Sequence, residues 1–163
     1  QLRDFARDED QRLAMLDTYV HYQRSIHDDM VRAFPGAVSV LSQLRSRGTR
    51  LAIVTSKGSR IAQRTMEVCG LVGAVDFVIC GDEVERGKPD PEPVLKALSA
   101  LGLAESPEDV VFVGDSPHDL RAGRAAGTRT AAVGWGPITR SVLEAESPTF
   151  FLEQMEEVLH IDS

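Results

Sequence analysis

The chain has 163 residues and a net charge of −7, from 18 basic and 25 acidic side chains. That length provides one domain with a real hydrophobic core and room for a small appendage. The acid excess, without a basic tract, argues against a broad nucleic-acid-binding face, and no apolar run approaches the roughly eighteen residues of a membrane span.

Residues 1–33 are charged and helical in pattern, with Leu13, Leu16, Val20 and Ile26 roughly along one face and no strand signal. Pro35-Gly36 interrupts the pattern. Val38, Val40, Leu41 and Leu44 then describe an amphipathic helix closed by Gly48. Leu51 to Ser56 reads as a buried strand, turning at Gly58 into a helix that ends near Gly70. Phe77 to Cys80 is a shorter strand, followed by a polar loop from Gly81 to Asp90 that contains Gly87-Lys88-Pro89. Asp90-Pro91 opens the next helix as N-cap and first residue, and Gly102 closes it. Val110 to Val113 is four apolar residues in a row, the signature of a strand buried on both faces. Gly114 ends it, and a helix runs on to Gly127. Ala131 to Val133 makes a fourth strand, and the chain is expected to finish with two helices, near residues 138–146 and 150–159. Cys69 and Cys80 lack a metal-ligand spacing, so both are expected as buried free thiols in a reducing cytoplasm. No secretory leader pattern opens the chain, which agrees with a cytoplasmic setting. Strands alternating with helices predict an α/β domain with a doubly wound, Rossmann-like parallel sheet covered on both faces.

Four residues stand at the edge of that sheet. Asp115 follows directly on the apolar strand, and Asp119 lies one turn into the next helix. Ligands of open α/β sheets bind at the carboxyl ends of the strands, and two acids converging there suit a hard cation such as Mg²⁺. The same residues also fit a helix cap, with Ser116 and Asp119 in the S-x-x-D pattern and Pro117 at the first helical position; the two roles are compatible. Thr55-Ser56 ends its strand at the same edge, where its hydroxyls either make turn hydrogen bonds or face a ligand. Lys88, taken alone, reads as a surface lysine. Together a hydroxyl, an ammonium and a carboxylate-bound cation are what a phosphoryl group needs, because the cations offset its charge and the hydroxyl orients one oxygen.

On these residues the sequence resembles the haloacid dehalogenase superfamily of phosphatases, whose motifs match Thr55, Lys88 and Gly114-Asp115-x-x-x-Asp119 from about residue 19 onward. The stretches GDEVERGKPDPEPVLKAL and VGDSPHDLRAGRAAG resemble phosphoglycolate phosphatases and HPr-associated inorganic pyrophosphatases, and the ending VGWGPITRSVLEAESPTFFLEQMEEVL is closer to the pyrophosphatase branch. The resemblance implies that residues 1–33 are the remaining part of a helical cap and that residues 34–163 form the core. It implies that Thr55 hydrogen-bonds the transferring phosphoryl group, that Lys88 holds that group and the nucleophile, and that Asp115 and Asp119 ligate Mg²⁺, Asp119 directly or through water. Ser56 and Lys57 stand where they would touch substrate. His118 reads as an idle first-turn residue or a substrate contact, and Trp135 as a packing residue or a pocket wall. The resemblance also implies a cis peptide between Lys88 and Pro89.

One part of the family pattern is missing. Its first motif, an apolar strand ending in Asp-x-Asp-x-Thr, supplies the aspartate nucleophile and the acid/base. Asp8-Glu9-Asp10 imitates the spacing, but Phe5-Ala6-Arg7 is no strand, and Gln11-Arg12 supplies neither the glycine nor the hydroxyl. In the family that strand lies between the strand ending at Thr55 and the one ending at Asp115. The 51–56 and 110–114 strands are therefore expected to lie side by side without hydrogen bonds between them. The implied activity is that of a Mg²⁺-dependent phosphohydrolase forming an aspartyl-phosphate, with pyrophosphate or a small phosphorylated metabolite of the phosphoglycolate kind as substrate. Without the nucleophile segment the 163 residues alone are expected to be inactive. The competing reading is a non-catalytic truncated module that binds phosphate or a protein partner. A response-regulator-like receiver fits less well, since its acids would cluster at the first strand and leave residues 1–33 unexplained. Oligomeric state is not fixed by the sequence.

Overall fold

The computed structural model describes residues 7–161. The helical pattern expected over residues 1–6, and the place of Val20 on the apolar face of the first helix, lie outside what is described. The chain divides into two compact units, Gln1–Arg32 and Ala33–Ser163.

The first unit is one helix, α1 (Glu9–Met30). Asp8 caps it by accepting a hydrogen bond from the Gln11 amide at 2.7 Å, and Glu9 pairs with Arg12 one turn on. The Asp8-Glu9-Asp10 run is thus a helix start, in which carboxylates offset the positive end of the helix dipole. Leu13 and Leu16 remain 49% and 37% exposed.

The second unit alternates helices and short parallel strands: α2 (Ala37–Ser46), β1 (Ala52–Val54), α3 (Ser59–Val68), β2 (Phe77–Ile79), α4 (Glu92–Leu101), β3 (Val111–Gly114), α5 (Pro117–Ala125), β4 (Arg129–Val133), α6 (Arg140–Glu144) and β5 (Phe150–Leu152). A 3-10 segment, Met155–His160, ends it. Strand β1 pairs with β2, Ile53 opposite Val78. Strand β3 pairs with β4, Val113 opposite Ala131, and β4 pairs with β5, Ala132 opposite Phe151. Among the described residues no ladder joins β1 to β3, as expected for a sheet whose middle position is not filled by them. The parallel sheet is therefore present as two separate pieces.

Strand β4 shows why both faces count as core. On one side Ala132 packs with Leu120 of α5 and Leu143 of α6. On the other, Ala131 and Val133 pack with Leu152 and with Val158 of the 3-10 segment. A third cluster joins Val94 and Leu98 of α4 to Ala122 of α5 and Ala126 at its C-terminal cap. Leu98 and Leu120 are fully buried, each contributing about 2 kcal/mol of apolar burial. Gly123 allows this closeness, because a Cβ there would lie 2.9 Å from the Cβ of Phe112 on β3.

Three expectations need correction. Residues 150–159 are not a helix: Phe150–Leu152 is a fifth strand, and only the residues after it coil, as 3-10 turns. The spacing of Leu152, Met155 and Leu159 imitates a helix, but pairing with the open edge of β4 satisfies the backbone of an aromatic, β-prone run and prevails over that pattern. Helix α4 begins at Glu92, one residue beyond the expected start, with Pro91 rather than Asp90 in the N-cap position, although the Asp90 carboxylate accepts from the Glu92 amide at 3.0 Å. Of the two cysteines, Cys80 is buried and Cys69 only partly so; both are free thiols.

Candidate functional site

The carboxyl end of β3 supplies the first part of the site. A Cβ on Gly114 would lie 2.2 Å from the Cβ of Asp119, so only glycine lets the chain turn back this tightly. Ser116 is the N-cap of α5 and Pro117 its first residue. The Ser116 hydroxyl accepts from the Asp119 amide at 3.3 Å and donates to its Oδ2 at 2.6 Å. The cap pattern read from the sequence thus holds Asp119 in the first turn of α5, where it is 7% exposed.

Lys88 reaches this acid from the loop between β2 and α4. Its Nζ lies 2.6 Å from Asp119 Oδ1 and donates to the carbonyl of Val54, the last residue of β1, at 3.2 Å. One side chain therefore ties the ends of both half-sheets together. The Lys88–Pro89 peptide is cis, as the resemblance implies.

The two acids are not equivalent. Burial and the neighbouring charge of Asp119 push Asp115 above the ordinary carboxylate range. Burial opposes ionisation of Asp119 as well, but the hydrogen bonds from Lys88 and Ser116 outweigh it and hold that acid below the usual range. Two carboxylates face a single ammonium, which leaves one negative charge uncompensated. Both oxygens of Asp119 already carry a partner, so its remaining capacity suits a bridging water, whereas Asp115 has the more available ligand oxygens. Oxygen ligands with uncompensated charge fit a hard divalent cation. The 134–136 turn closes over Asp115: a Cβ on Gly136 would stand 2.7 Å from the Asp115 Cβ. Sequence reasoning missed this contact, whose one trace is the glycine beside Trp135.

Thr55 sits at the end of β1, where its amide donates to Ile79 at 2.9 Å. Its hydroxyl accepts from the Lys57 amide at 3.1 Å, the turn hydrogen bond foreseen as the modest reading. That bond uses a lone pair and leaves the hydroxyl proton to be donated. Ser56 is exposed, and its carbonyl is met so closely by Gly81 that a Cβ there would stand at 2.5 Å. Lys57 turns along α3 to Thr65 at 3.1 Å. His118 is exposed. Trp135 both packs beside Val133 and Leu152 and lines the space between the sheets.

That space is a trough of about 520 Å³ between β1 and β3. Ile53, Val54, Val111 and Val113 form apolar walls, and Lys88, Asp115 and Asp119 stand along it; the acids among its lining residues are Asp115 and Asp119. A second grouping, Cys80, Asp82 and Glu83, is structural. Asp82 accepts from the Ser59 amide and hydroxyl at the start of α3, and Glu83 accepts from the Cys80 amide at 2.7 Å.

Comparison with known proteins gives the same answer along the chain. A family model described as haloacid dehalogenase-like hydrolase matches residues 1–133. The pyrophosphatase PpaX of Bacillus velezensis is 37% identical over 147 residues, 90% of this chain and 67% of that protein. PpaX of Bacillus cereus is 35% identical over the same shares. The chain spans about two thirds of the length of these relatives. Among solved structures, a predicted phosphoglycolate phosphatase from Haemophilus somnus superposes with a TM-score of 0.87 over 96% of this chain and 68% of its own, at 23% identity, a likeness of fold. With Lys88, Asp115 and Asp119 brought together beside the strand ends and these matches along its length, the chain belongs to the haloacid dehalogenase-like hydrolase family.

Proposed function

We propose that these residues form the phosphoryl-binding and cation-binding part of a Mg²⁺-dependent phosphohydrolase of the cytoplasm, acting on pyrophosphate or on a small phosphorylated metabolite. The observation that carries the reading is the Lys88–Asp119 pair at 2.6 Å, beside the freer Asp115 and within reach of the end of β1. Lys88 would offset the charge of the phosphoryl oxygens and, through Asp119, keep a fixed position between the two half-sheets. Thr55 would donate its hydroxyl proton to one phosphoryl oxygen. Asp115 would hold the cation directly and Asp119 through its remaining lone pairs or a water. Bound there, Mg²⁺ supplies charge stabilisation as the phosphoryl group is transferred.

The nucleophile in this reading is a carboxylate on a strand that residues 1–163 do not contain, seated in the trough between β1 and β3. Its oxygen attacks phosphorus, the bond from phosphorus to the leaving oxygen breaks, and water then hydrolyses the aspartyl-phosphate. Support comes from the unjoined sheet edges, the apolar walls and the larger size of the relatives. Pyrophosphate is favoured as substrate by the PpaX relatives, and phosphoglycolate is the second candidate. The cap role of α1 belongs to the same proposal.

The test is turnover of pyrophosphate, phosphoglycolate and p-nitrophenyl phosphate with Mg²⁺. Residues 1–163 alone should show no activity above a Thr55→Ala control, and a protein that also carries the nucleophile strand should turn over and lose most activity on Lys88→Ala. Turnover by residues 1–163 alone, abolished by Asp115→Asn, would overturn the missing-nucleophile reading. Failure of the longer protein to turn over any phosphoester would favour a non-catalytic phosphate-binding module.

A further inference from the structure

The loop that delivers Lys88 is fastened by a residue to which the sequence assigned no role. Glu92, in the first turn of α4, takes no amide of its own helix. Asp90 accepts from the Glu92 amide. The Glu92 carboxylate instead reaches back along the loop. Its Oε1 accepts from the Glu85 amide at 2.9 Å and its Oε2 from the Arg86 amide at 3.0 Å. Lys96 adds an ammonium at 3.1 Å from Oε1 and donates to the Glu83 carbonyl at 2.6 Å. Two consecutive backbone N–H groups pointing at one carboxylate fix the peptide planes between them, and Lys88 follows two residues later. Asp90 closes the loop by donating its amide to Gly87.

We propose that Glu92 is the positioning residue for Lys88, clamping the 85–86 backbone so that the ammonium arrives between Val54 and Asp119. The proposal rests on the assignment of Lys88 to the phosphoryl group, but its geometry stands without turnover. Three features separate it from an ordinary acid of a helix start. The carboxylate faces loop amides rather than helix amides. Its side chain is only 17% exposed. The backbone donor of Glu85, against the opposing effect of burial, leads a set of partners that holds its acid down to about 2, so the clamp stays ionised throughout the physiological range.

The test uses the folded 163-residue chain and trace acetylation by acetic anhydride, read lysine by lysine by mass spectrometry. The chain has three lysines, Lys57, Lys88 and Lys96. Lys57 bonds Thr65 on a different helix and serves as the internal reference. In Glu92→Gln, where one oxygen becomes an NH₂ that cannot accept, Lys88 labelling should rise about tenfold relative to Lys57, and in Glu92→Ala further. Unchanged relative labelling in a folded Glu92→Gln chain overturns the proposal, as does an equal rise at Lys57, which would mean general loosening. Should both variants fail to fold, hydrogen exchange on the unaltered chain decides. The Glu85 and Arg86 amides should exchange about 100-fold slower than free peptide, and exchange at the free rate overturns the clamp. Neither measurement depends on turnover, so an inactive full-length protein would sink the functional reading while leaving the clamp standing.

Discussion

At the scale of single residues the site sets two acids against each other. Asp119 is held below the ordinary carboxylate range, so it contributes stability that is present above about pH 4 and is lost as pH falls through its depressed folded value. Asp115 has the opposite sign. Its folded value is raised, so folding is favoured while it is protonated, and a penalty develops as pH rises through that value. Asp115→Asn should therefore raise the melting temperature at pH 7 by about 2 °C, a small gain because solvent screens the partly exposed carboxylate. The gain should vanish near pH 3, where the unaltered carboxyl is protonated in both folded and unfolded chains. Adding Mg²⁺ should stabilise the unaltered chain by ligand linkage and leave Asp115→Asn unmoved. Thermal melts across pH, with and without Mg²⁺, check both expectations; a fall in melting temperature on substitution at pH 7 would contradict the charge argument. The two acids drew notice in the sequence because they follow directly on an apolar strand, whereas Thr55 and Lys88, each unremarkable alone, were singled out only by their grouping with the acids and by the family resemblance. Glu92 and Gly136 were not, because each acts across space on a segment that no local pattern connects to it.

At the scale of elements, the return from β3 into α5 depends on the missing side chain at position 114. Gly114→Ala would force a methyl group against the Asp119 Cβ, against a hypothetical separation of 2.2 Å, and overpacking of this kind costs about 2 kcal/mol. A drop of about 6 °C in melting temperature is expected, together with loss of any Mg²⁺-induced stabilisation; an unchanged melt would show that α5 can move away freely. Elements were read well wherever the pattern was local. Strands β1 to β3 follow apolar runs bounded by turn residues, β4 extends its expected Ala131–Val133 back to Arg129, and Ser116-Pro117 announced the start of α5. Strand β5 was hidden because Phe150–Leu152 runs straight into a stretch with helical spacing, and only the neighbouring edge of β4 decides between the two. The start of α4 slipped by one residue because Pro91 satisfies the rule for a first helical position from just outside it.

At the scale of the whole molecule, the sequence pattern predicted one doubly wound sheet and the chain builds it in two pieces, β1-β2 and β3-β4-β5. Among the described residues every ladder joins strands that are neighbours in the chain, Ala52 to Phe77, Val111 to Arg129 and Ala131 to Phe150. Such pairings close modest loops and need little prior order elsewhere. Helix α4 bridges them, since it packs on β1, on β2 and on α5. A protein assembled this way need not open all at once. The β3-β4-β5 half holds the fully buried residues of β4, whereas β1 is only half-buried along its length. The two halves should accordingly behave as separate cooperative units, the β1-β2 half opening at lower free energy. Hydrogen exchange under native conditions should show β4 amides protected at least about tenfold more than those of β1, with urea merging the two classes only near global unfolding; equal protection in both would mean that α4 locks them into one unit. The parting of the sheet that makes room for the site thereby also sets the order in which the molecule comes apart.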